Sequence, residues 1–245
     1  MNVNRLLPFA CLLLAVAILA SLLHLAVAAE EGAAAPTTQP VEATADEARE
    51  GQVQVARWTY DKDKSGVCFS DGFLAEVARR TDIKVHRKFV DVRLDSADLY
   101  NYPFAVMSGE GEFTLTDVQR QHLKAYLDRG GFVLASAGCT SQPWAMSFRR
   151  EISQLYPDAK LVPLPPDHAI FTKGVFEIDR LMPRSETSEA MIYGLEIGGK
   201  LRLVFSPVGL NDTANAGGGC CCCGGNEIRN AKYVNANLLV YALTH

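Results

Sequence analysis

Cys139, His168 and Glu110 have the residue types of an acyl-transfer site. A cysteine thiolate is a strong nucleophile that needs a base beside it, and histidine is the residue most often used as that base. A helix should begin near Gln142, and its N-terminal dipole would lower the pKa of the Cys139 thiol. Glu110 lies in a glycine loop, where its carboxylate can act as an acid, a base or a ligand. These residues allow a cysteine hydrolase or amidase in which His168 is the base for Cys139.

Each of these residues also has a plainer interpretation. Cys139 can be a small cysteine of the core or of a loop, and His168 can bond the backbone beside Pro165 and Pro166. Loops such as the one that holds Glu110 carry carboxylates simply because they are solvated. The other histidines form no cluster with the spacing of metal ligands. The sequence therefore leaves both the catalytic and the structural interpretation open.

A run of four cysteines, Cys220–Cys223, lies in a glycine-rich loop near the chain end. Structural zinc sites use Cys-x-x-Cys pairs, so consecutive cysteines do not follow their spacing, although Cys220 and Cys223 are far enough apart to chelate as one pair. Cys139 or His168 would then have to supply further ligands. With Cys68 and Cys139 the run gives an even number of cysteines, which suits disulfides outside the cytoplasm. Disulfides, a metal site and free thiols all remain possible, and no cofactor is predicted.

The stretch from Tyr102 to Cys139 must position the candidate residues. It has two short apolar runs, 104–107 and 132–135, separated by a helix that the capping-box pair of Thr116 and Gln119 should start. Two strands flanking one helix form a right-handed crossover with parallel strands. Ligands of such folds bind at the carboxyl ends of the strands. The predicted ligand-binding residues at those ends are Ser108, Gly109, Gly111, Gly138 and Thr140.

The remaining elements complete a single α/β domain with a mostly parallel sheet, helices on both faces and a late antiparallel hairpin. The predicted strands are 53–60, 83–89, 161–164, 190–197 and 200–206, and the predicted helices include 71–80, one from Ser141 onward, and 228–243. Gly198-Gly199 between the last two strands is a turn of the kind that hairpins prefer.

The chain ends and the charge balance bear on location and partners. Residues 1–28 have Arg5 ahead of an uncharged apolar stretch, 6–27, and read as a signal peptide or as a membrane anchor. Residues 29–51 read as a flexible linker, which leaves 52–245 for the folded domain. The net charge of −4 gives no basic surface for a nucleic acid. We therefore expect an extracytoplasmic domain, secreted, periplasmic or tethered to the membrane.

Several motifs in order resemble the family named domain of unknown function 4159. They include Tyr102-Pro-Phe, Met107-Ser-Gly-Glu-Gly, Ala137-Gly-Cys139, Pro163-Leu-Pro with Asp167-His168, and the ending from Val234 to Leu243. The resemblance covers about residues 53–243. It implies a flavodoxin-like three-layer fold of the class I glutamine amidotransferase-like superfamily. It brings no assigned activity, and similar proteins often occur in bacterial envelopes.

The sequence departs from the amidotransferase pattern at two places. The superfamily's nucleophile turn reads Gly-x-Cys-x-Gly, whereas Cys139 stands between Ala137 and Ser141 at those glycine positions. The catalytic His-x-Glu near the chain end is absent as well. The leading prediction is thus a non-catalytic envelope domain that binds an unknown envelope protein or a small ligand. The alternatives are a hydrolase that uses Cys139 with His168, and a thiol or metal module that uses Cys220–Cys223.

Overall fold

The computed structural model describes residues 51–61, 65–66, 68–185, 190–216 and 227–245. All of them lie in the second of the two compact units of the chain, residues 45–245. The strands are β1 (Val55–Thr59), β2 (Val90–Arg93), β3 (Phe104–Gly109), β4 (Phe132–Ala137), β5 (Val162–Pro163), β6 (Tyr193–Ile197) and β7 (Lys200–Ser206). The α-helices are α1 (Gly72–Arg80), α2 (Asp117–Asp128), α3 (Gln142–Leu155), α4 (Ala169–Thr172) and α5 (Ala231–Thr244).

The strands form one sheet in the order β2-β1-β3-β4-β7-β6-β5. The pairs from β2 across to β7 are parallel, and the pairs of β6 with β7 and with β5 are antiparallel. The predicted mostly parallel sheet with a late antiparallel hairpin is therefore confirmed. The strand order reverses between β1 and β3, so a topological switch point lies there.

Helices cover both faces of the sheet, as predicted. One apolar core joins the sheet to α1, α4 and α5, and a second joins the other face to α2 and α3. Every residue of β3 and β4 is buried, because both faces of these central strands are covered. The structure is thus a three-layer α/β fold.

Short polar side chains set the helix starts that position the strand ends. The hydroxyl of Thr116 accepts a hydrogen bond from the Gln119 N–H, and the Gln119 side chain accepts one from the Thr116 N–H, so the predicted capping box starts α2. Ser141 caps α3 by accepting from the Trp144 N–H, and Pro143 stands in the first turn, where its missing N–H costs nothing. Both starts agree with the sequence prediction.

The predicted strand at 83–89 is wrong. The strand beside β1 is instead β2, Val90–Arg93, and Val85 makes only an isolated bridge to Val53. Alternating apolar and polar residues continue through both stretches, so the pattern cannot say which of them pairs with β1. Phe89 packs its ring on Phe69 and Phe73, which holds the chain in a bend just before β2 begins.

The edge strand β5 is protected against pairing with another chain. The Leu164 N–H donates to the Ile192 carbonyl, and Val162 is paired with Gly194, so these two residues face β6. By alternation, the backbone nitrogens of Pro163 and Pro165 point toward the open side of β5. A proline has no N–H, so these positions cannot donate a hydrogen bond to another strand. No helix in the described ranges is long and apolar enough to cross a membrane.

Candidate functional site

The carboxyl ends of β3, β4 and β7 meet at one edge of the sheet and gather part of the predicted site. Glu110 follows β3, and Gly138 with Cys139 follows β4. A Cβ on Gly138 would lie 3.1 Å from Cγ of Glu110 and 3.1 Å from the Gly109 carbonyl oxygen, so Glu110 packs directly on the turn that carries Cys139. The structure therefore brings Glu110, Gly138 and Cys139 together.

Cys139 lies in an unusual turn and is disulfide-bonded. Its φ is 50° and that of Thr140 is 54°, so two successive residues with side chains adopt the left-handed conformation. Each such residue costs about 1–3 kcal/mol and persists only where its surroundings impose it. The Thr140 hydroxyl donates to the Val208 carbonyl at 3.0 Å, which ties the turn to the chain after β7. A disulfide sulfur is not a thiolate, so Cys139 carries no nucleophile in this state.

His168 does not lie beside Cys139. Its Nδ1 accepts a hydrogen bond from the Ile170 N–H at 3.2 Å and so caps α4, and its ring packs on Tyr241. Tyr241 is ten residues into α5, which is about 15 Å along a helix. The first turns of α5 lie at the edge of the sheet that carries Cys139, because Asn235 of α5 donates to the carbonyl of Leu210 in the turn after β7. The structure thus places His168 toward the far end of α5, in the backbone-bonding role that the sequence also allowed.

The pKa of His168 is lowered, chiefly because the ring is partly buried. The carboxylates of Glu196 and Asp167 act in the opposite direction, and His245 adds to the lowering. The imidazole is therefore neutral near pH 7, which suits its role as acceptor from the Ile170 N–H.

At the switch-point crevice between β1 and β3, where such folds bind ligands, backbone groups at the end of β3 are hydrogen-bonded to residues that follow β1. The Ser108 carbonyl accepts from the Tyr60 hydroxyl at 3.1 Å and from the Gly66 N–H at 2.8 Å, and Ser65 forms a bridge with Gly109. The Gly111 N–H donates to the Ser141 hydroxyl. The backbone groups of three predicted ligand-binding residues are therefore engaged within the protein.

Aromatic side chains form the floor of this crevice. The Trp144 Nε1–H donates to the Tyr60 hydroxyl at 2.5 Å, and the Phe113 ring lies 5.0 Å from that of Tyr60. Burial raises the pKa of Tyr60, so its hydroxyl stays protonated and can donate to Ser108. Within the described part of the chain, the Ser108 hydroxyl has no hydrogen-bond partner, but it is neutral.

Glu227 is the unusual group at the same edge. Its side chain is 6% exposed, and neither carboxyl oxygen has a hydrogen bond of normal geometry with the described residues. A Cβ on Gly209 would lie 3.4 Å from Cδ and 3.5 Å from Oε2 of Glu227, so the carboxyl packs on the backbone of Gly209. Gly209 has φ +122°, and its added Cβ would also come 2.7 Å from the Ala137 carbonyl oxygen, so only glycine fits there.

Burial raises the pKa of the Glu227 carboxyl, and the charge of Glu110 raises it further. The N–H groups of Glu227 itself and of Cys139, together with the charge of Arg184, act in the opposite direction but do not outweigh burial. A Cβ on Gly209 would meet both the Ala137 carbonyl oxygen and the Glu227 carboxyl, so this carboxyl lies at the end of β4, two residues before Cys139. We call the Glu227 carboxyl, the backbone of Cys139 and Gly209, and the adjoining Glu110 the Glu227 site.

A hydrogen-bonded network holds the Glu227 site in place. The Ser136 hydroxyl donates to Oδ1 of Asn211 at 2.5 Å and accepts from the Leu210 N–H at 2.7 Å. Asn235 of α5 donates to the Leu210 carbonyl, and the Ser70 N–H donates to the Asn211 carbonyl. The turn after β7 is therefore fixed to β4, to α5 and to the approach to α1.

Sequence reasoning did not single out Glu227. The residue precedes the last helix, and a lone carboxylate at such a place is usually solvated. The one available signal was its position next to the apolar Ile228, which begins the buried face of that segment. The predicted metal candidates Cys220 and Cys223 lie outside the described residues, and the described ones contain no group of three or more possible metal ligands.

A separate apolar groove of about 450 Å³ lies between β5, α4 and the start of β6. Its lining includes Pro165, Phe171, Ile178, Leu181 and Ile192. The groove is on the antiparallel side of the sheet, and its lining includes none of the predicted site residues.

The comparison with known families follows the same boundaries as the fold. The model of the family described as domain of unknown function (DUF4159) matches residues 54–243, which is most of the chain. No curated protein matches the chain. The matched range begins just before β1, ends at the last turn of α5 and includes both Cys139 and Glu227. The chain therefore belongs to the DUF4159 family.

Proposed function

We propose that this chain is an extracytoplasmic, non-catalytic binding module with an amidotransferase-like fold. The observation that carries the proposal is the disulfide at Cys139, because a bonded sulfur cannot attack a carbonyl. The position of His168 adds support, since its Nδ1 already bonds the α4 backbone. Neither member of the predicted catalytic pair is thus in a state to do the chemistry.

The extracytoplasmic location rests on two observations of different kinds. Cys68 and Cys139 are both disulfide-bonded, and disulfides persist mainly in oxidising compartments. The uncharged apolar stretch 6–27 behind Arg5 has the pattern of a signal peptide or anchor. Residues 29–51 then serve as a tether for the folded domain.

The binding surface is the apolar groove, and its occupant is an apolar segment of a partner protein. Val162, Met182 and Met191 are 57%, 41% and 42% exposed and adjoin or line the groove. They are half of the six large apolar side chains that are exposed among the described residues. Such a gathering of exposed apolar groups is typical of protein interfaces, where methionine is enriched. A small ligand would need only the enclosed part of the groove.

Photo-crosslinking in the exported chain tests this surface. A photoreactive amino acid replaces Met191 in one variant and Val118 in a control, since Val118 is 49% exposed on α2 at the other face. We expect a discrete cross-linked protein from the Met191 variant and none from the control. Equal products from both positions, or none from either, would contradict the assignment of the groove.

The hydrolase remains the second candidate, because Glu110 and the start of α3 do lie at the Cys139 turn. It requires that the disulfide be opened and that the released thiol have a depressed pKa. Iodoacetamide labelling of the reduced chain decides this point. Fast labelling of Cys139 below pH 7 that His168→Ala abolishes would favour the hydrolase over the binding module.

A further inference from the structure

A cleft of about 510 Å³ lies beside the chain segment that leads into β1. Its lining consists of Gln52, Ala78 of α1 and residues 81–88, which join α1 to β2. Three basic side chains, one acidic side chain and one histidine are among them: Lys84, Arg87, Lys88, Asp82 and His86. By comparison, the lining of the apolar groove has one acidic and one basic side chain. We call this cationic cavity the basic cleft.

The charge of the chain is distributed unevenly around the basic cleft. Residues 79–88 carry five Lys or Arg side chains and a single Asp, a net charge of +4. Because the whole chain has a net charge of −4, the residues outside this segment carry −8. A protein with such a distribution is attracted to a negative surface through its basic side and repelled through its other sides. The net charge of the chain therefore conceals a local cationic surface.

Two of the cations in the cleft are available to a ligand. Lys88 is paired with Asp71 at 3.0 Å. Lys84 and Arg87 are exposed, and neither forms an ion pair within the part of the chain that the structure describes. Their N–H donors are therefore not used by carboxylates of these described residues.

The backbone holds these cations in place against the start of β1. The Val53 N–H donates to the Lys84 carbonyl at 2.8 Å, and the His86 N–H donates to the Val53 carbonyl at 2.9 Å. The Ile83 N–H donates to the Thr81 hydroxyl, which fixes the chain just after α1. Because the segment is already ordered, less conformational entropy is lost when a ligand binds to it.

We propose that the basic cleft docks on a membrane surface by binding the phosphate groups of anionic phospholipids. This docking rests on the tethered location that is part of the proposed function, and it does not need the apolar groove. The predicted linker, residues 29–51, ends next to Gln52, which lines the cleft. A tether that joins the domain at its cationic side keeps that side at a high effective concentration near the membrane.

Phosphate groups suit the two cations that lack ion pairs. The Arg87 guanidinium has a planar fork of N–H donors that can bind two oxygens of one phosphate, and Lys84 contributes a compact charge. The volume of the cleft lies in the range of small-ligand sites, so it has room for a lipid headgroup. The negative charge of the rest of the domain orients the cleft toward the anionic surface.

The test measures how fast Lys84 of the full-length chain is acetylated in the presence of vesicles. The vesicles contain phosphatidylcholine alone or equal parts of phosphatidylcholine and phosphatidylglycerol. An uncharged acetylating reagent is applied briefly, and mass spectrometry follows each lysine. Lys160 is the internal reference, because it is exposed and precedes β5, whereas the cleft precedes β2 at the opposite end of the sheet.

We expect the ratio of the Lys84 rate to the Lys160 rate to be about fivefold lower on anionic vesicles than on phosphatidylcholine. Each basic side chain near an anionic surface contributes a factor of about five to binding. At about 1 M salt the Debye length falls to about 3 Å, so the ratio should return to its phosphatidylcholine value. Equal ratios on the two kinds of vesicle at low salt would overturn the proposal.

Two charge reversals separate the cleft from the net charge of the chain. Arg87→Glu leaves Lys84 as the reporter and should bring its ratio on anionic vesicles to within about twofold of the phosphatidylcholine value. Lys200→Glu makes the same change in net charge at an exposed residue of the β6–β7 hairpin, outside the cleft, and should leave Lys84 protected. Equal loss of protection in both variants would contradict a role for the cleft.

Two further readouts distinguish the anion and the tether. Inorganic phosphate is added to phosphatidylcholine vesicles at matched pH and ionic strength. If it protects Lys84 as strongly as anionic vesicles do, the cleft binds a free anion and the membrane assignment is wrong. Flotation reports the tether separately, because a chain anchored through 6–27 should float with phosphatidylcholine vesicles even at high salt. Failure to float would contradict the tether, while the Lys84 ratio decides the cleft in either case.

Discussion

Buried polar groups are hydrogen-bonded to one another in one part of this sheet edge and lack such partners in another. In the switch-point crevice the Ser108 carbonyl has two donors, and the Trp144 N–H and the Tyr60 hydroxyl satisfy one another. In the Glu227 site a carboxyl is buried with no hydrogen-bond partner among the described residues. An unpartnered neutral hydroxyl such as that of Ser108 costs about 1–3 kcal/mol, whereas an unpaired charge costs far more and is removed by protonation.

This difference separates polar groups that are already hydrogen-bonded within the chain from a carboxyl that is not. A crevice whose groups are paired within the chain contributes to stability, and opening it for a ligand would break those pairs. The Glu227 carboxyl, whose pKa is raised by burial, has no such partners among the described residues. The strand-order reversal usually marks the ligand site of such folds, and in this chain the backbone groups of Ser108, Gly109 and Gly111 beside it are paired within the protein.

The substitution Trp144→Ala removes part of the aromatic packing in the switch-point crevice, and we expect it to have the largest effect on stability. Trp144 is fully buried, stacks on Phe148 at 5.3 Å and donates to Tyr60. Loss of this ring should lower the free energy of unfolding by about 3–5 kcal/mol, measured by urea denaturation without reductant. Met146→Ala on the same helix is the control, because Met146 is 69% exposed and should change stability by less than about 0.5 kcal/mol. Similar losses in both variants would refute a structural crevice.

The contact between Gly209 and Glu227 can be broken by Gly209→Ala. The added Cβ would meet the Ala137 carbonyl at 2.7 Å in a backbone conformation that alanine rarely adopts. We expect unfolding free energy to fall by about 2 kcal/mol or more. Gly199→Ala also has a positive φ, +74°, but its Cβ would have no neighbour within 4 Å, so it should cost only about 1 kcal/mol. Equal effects would mean that conformation alone, and not packing at the Glu227 site, decides the result.

The pH dependence of the free energy of unfolding tests the burial of the Glu227 carboxyl, and its expected effect is smaller than those of the two substitutions. The pKa of Glu227 is raised in the folded state, so the protonated carboxyl is favoured on folding. Its stability contribution is complete below the unfolded pKa, about 4.3, and is lost as pH rises through the folded pKa. Over that window the wild type should lose up to about 1.4 kcal/mol per pH unit relative to Glu227→Gln.

Denaturation midpoints measured from pH 4 to pH 8 test this dependence. Glu227→Gln should give the flatter curve, because glutamine keeps the shape of the protonated acid without its titration. Parallel curves for the two proteins would show that Glu227 has the same pKa in the folded and unfolded chain.

The sequence predicted the architecture well because its signals are local. The capping residues Thr116 and Gln119 start α2, and Gly198-Gly199 turns β6 into β7, as the pattern indicated. The strand at 83–89 was wrong, since the choice between it and β2 depends on which stretch reaches β1. Pairing across the sheet is a tertiary property that alternation does not encode.

The site was predicted only in part, for a related reason. Cys139 and Glu110 were found because both follow strands, and parallel strands end at the same edge. His168 was paired with Cys139 because it is a histidine in a turn that could approach a strand end, and the structure holds its ring against Tyr241 instead. Glu227 had only the weak signal of its apolar neighbour Ile228, because its burial comes from segments far apart in the chain, such as those of Gly209 and Arg184.

The most direct test of the account is the state of Cys139 in the exported chain. Iodoacetamide is applied without reductant from pH 5.5 to pH 8.5, and mass spectrometry reports each cysteine separately. We predict that Cys139 stays unlabelled throughout and becomes labelled only after reduction, because its sulfur is bonded. Fast labelling of Cys139 near pH 6 without reductant would contradict the account, since it would show a free thiolate and return Cys139 to the role of a nucleophile.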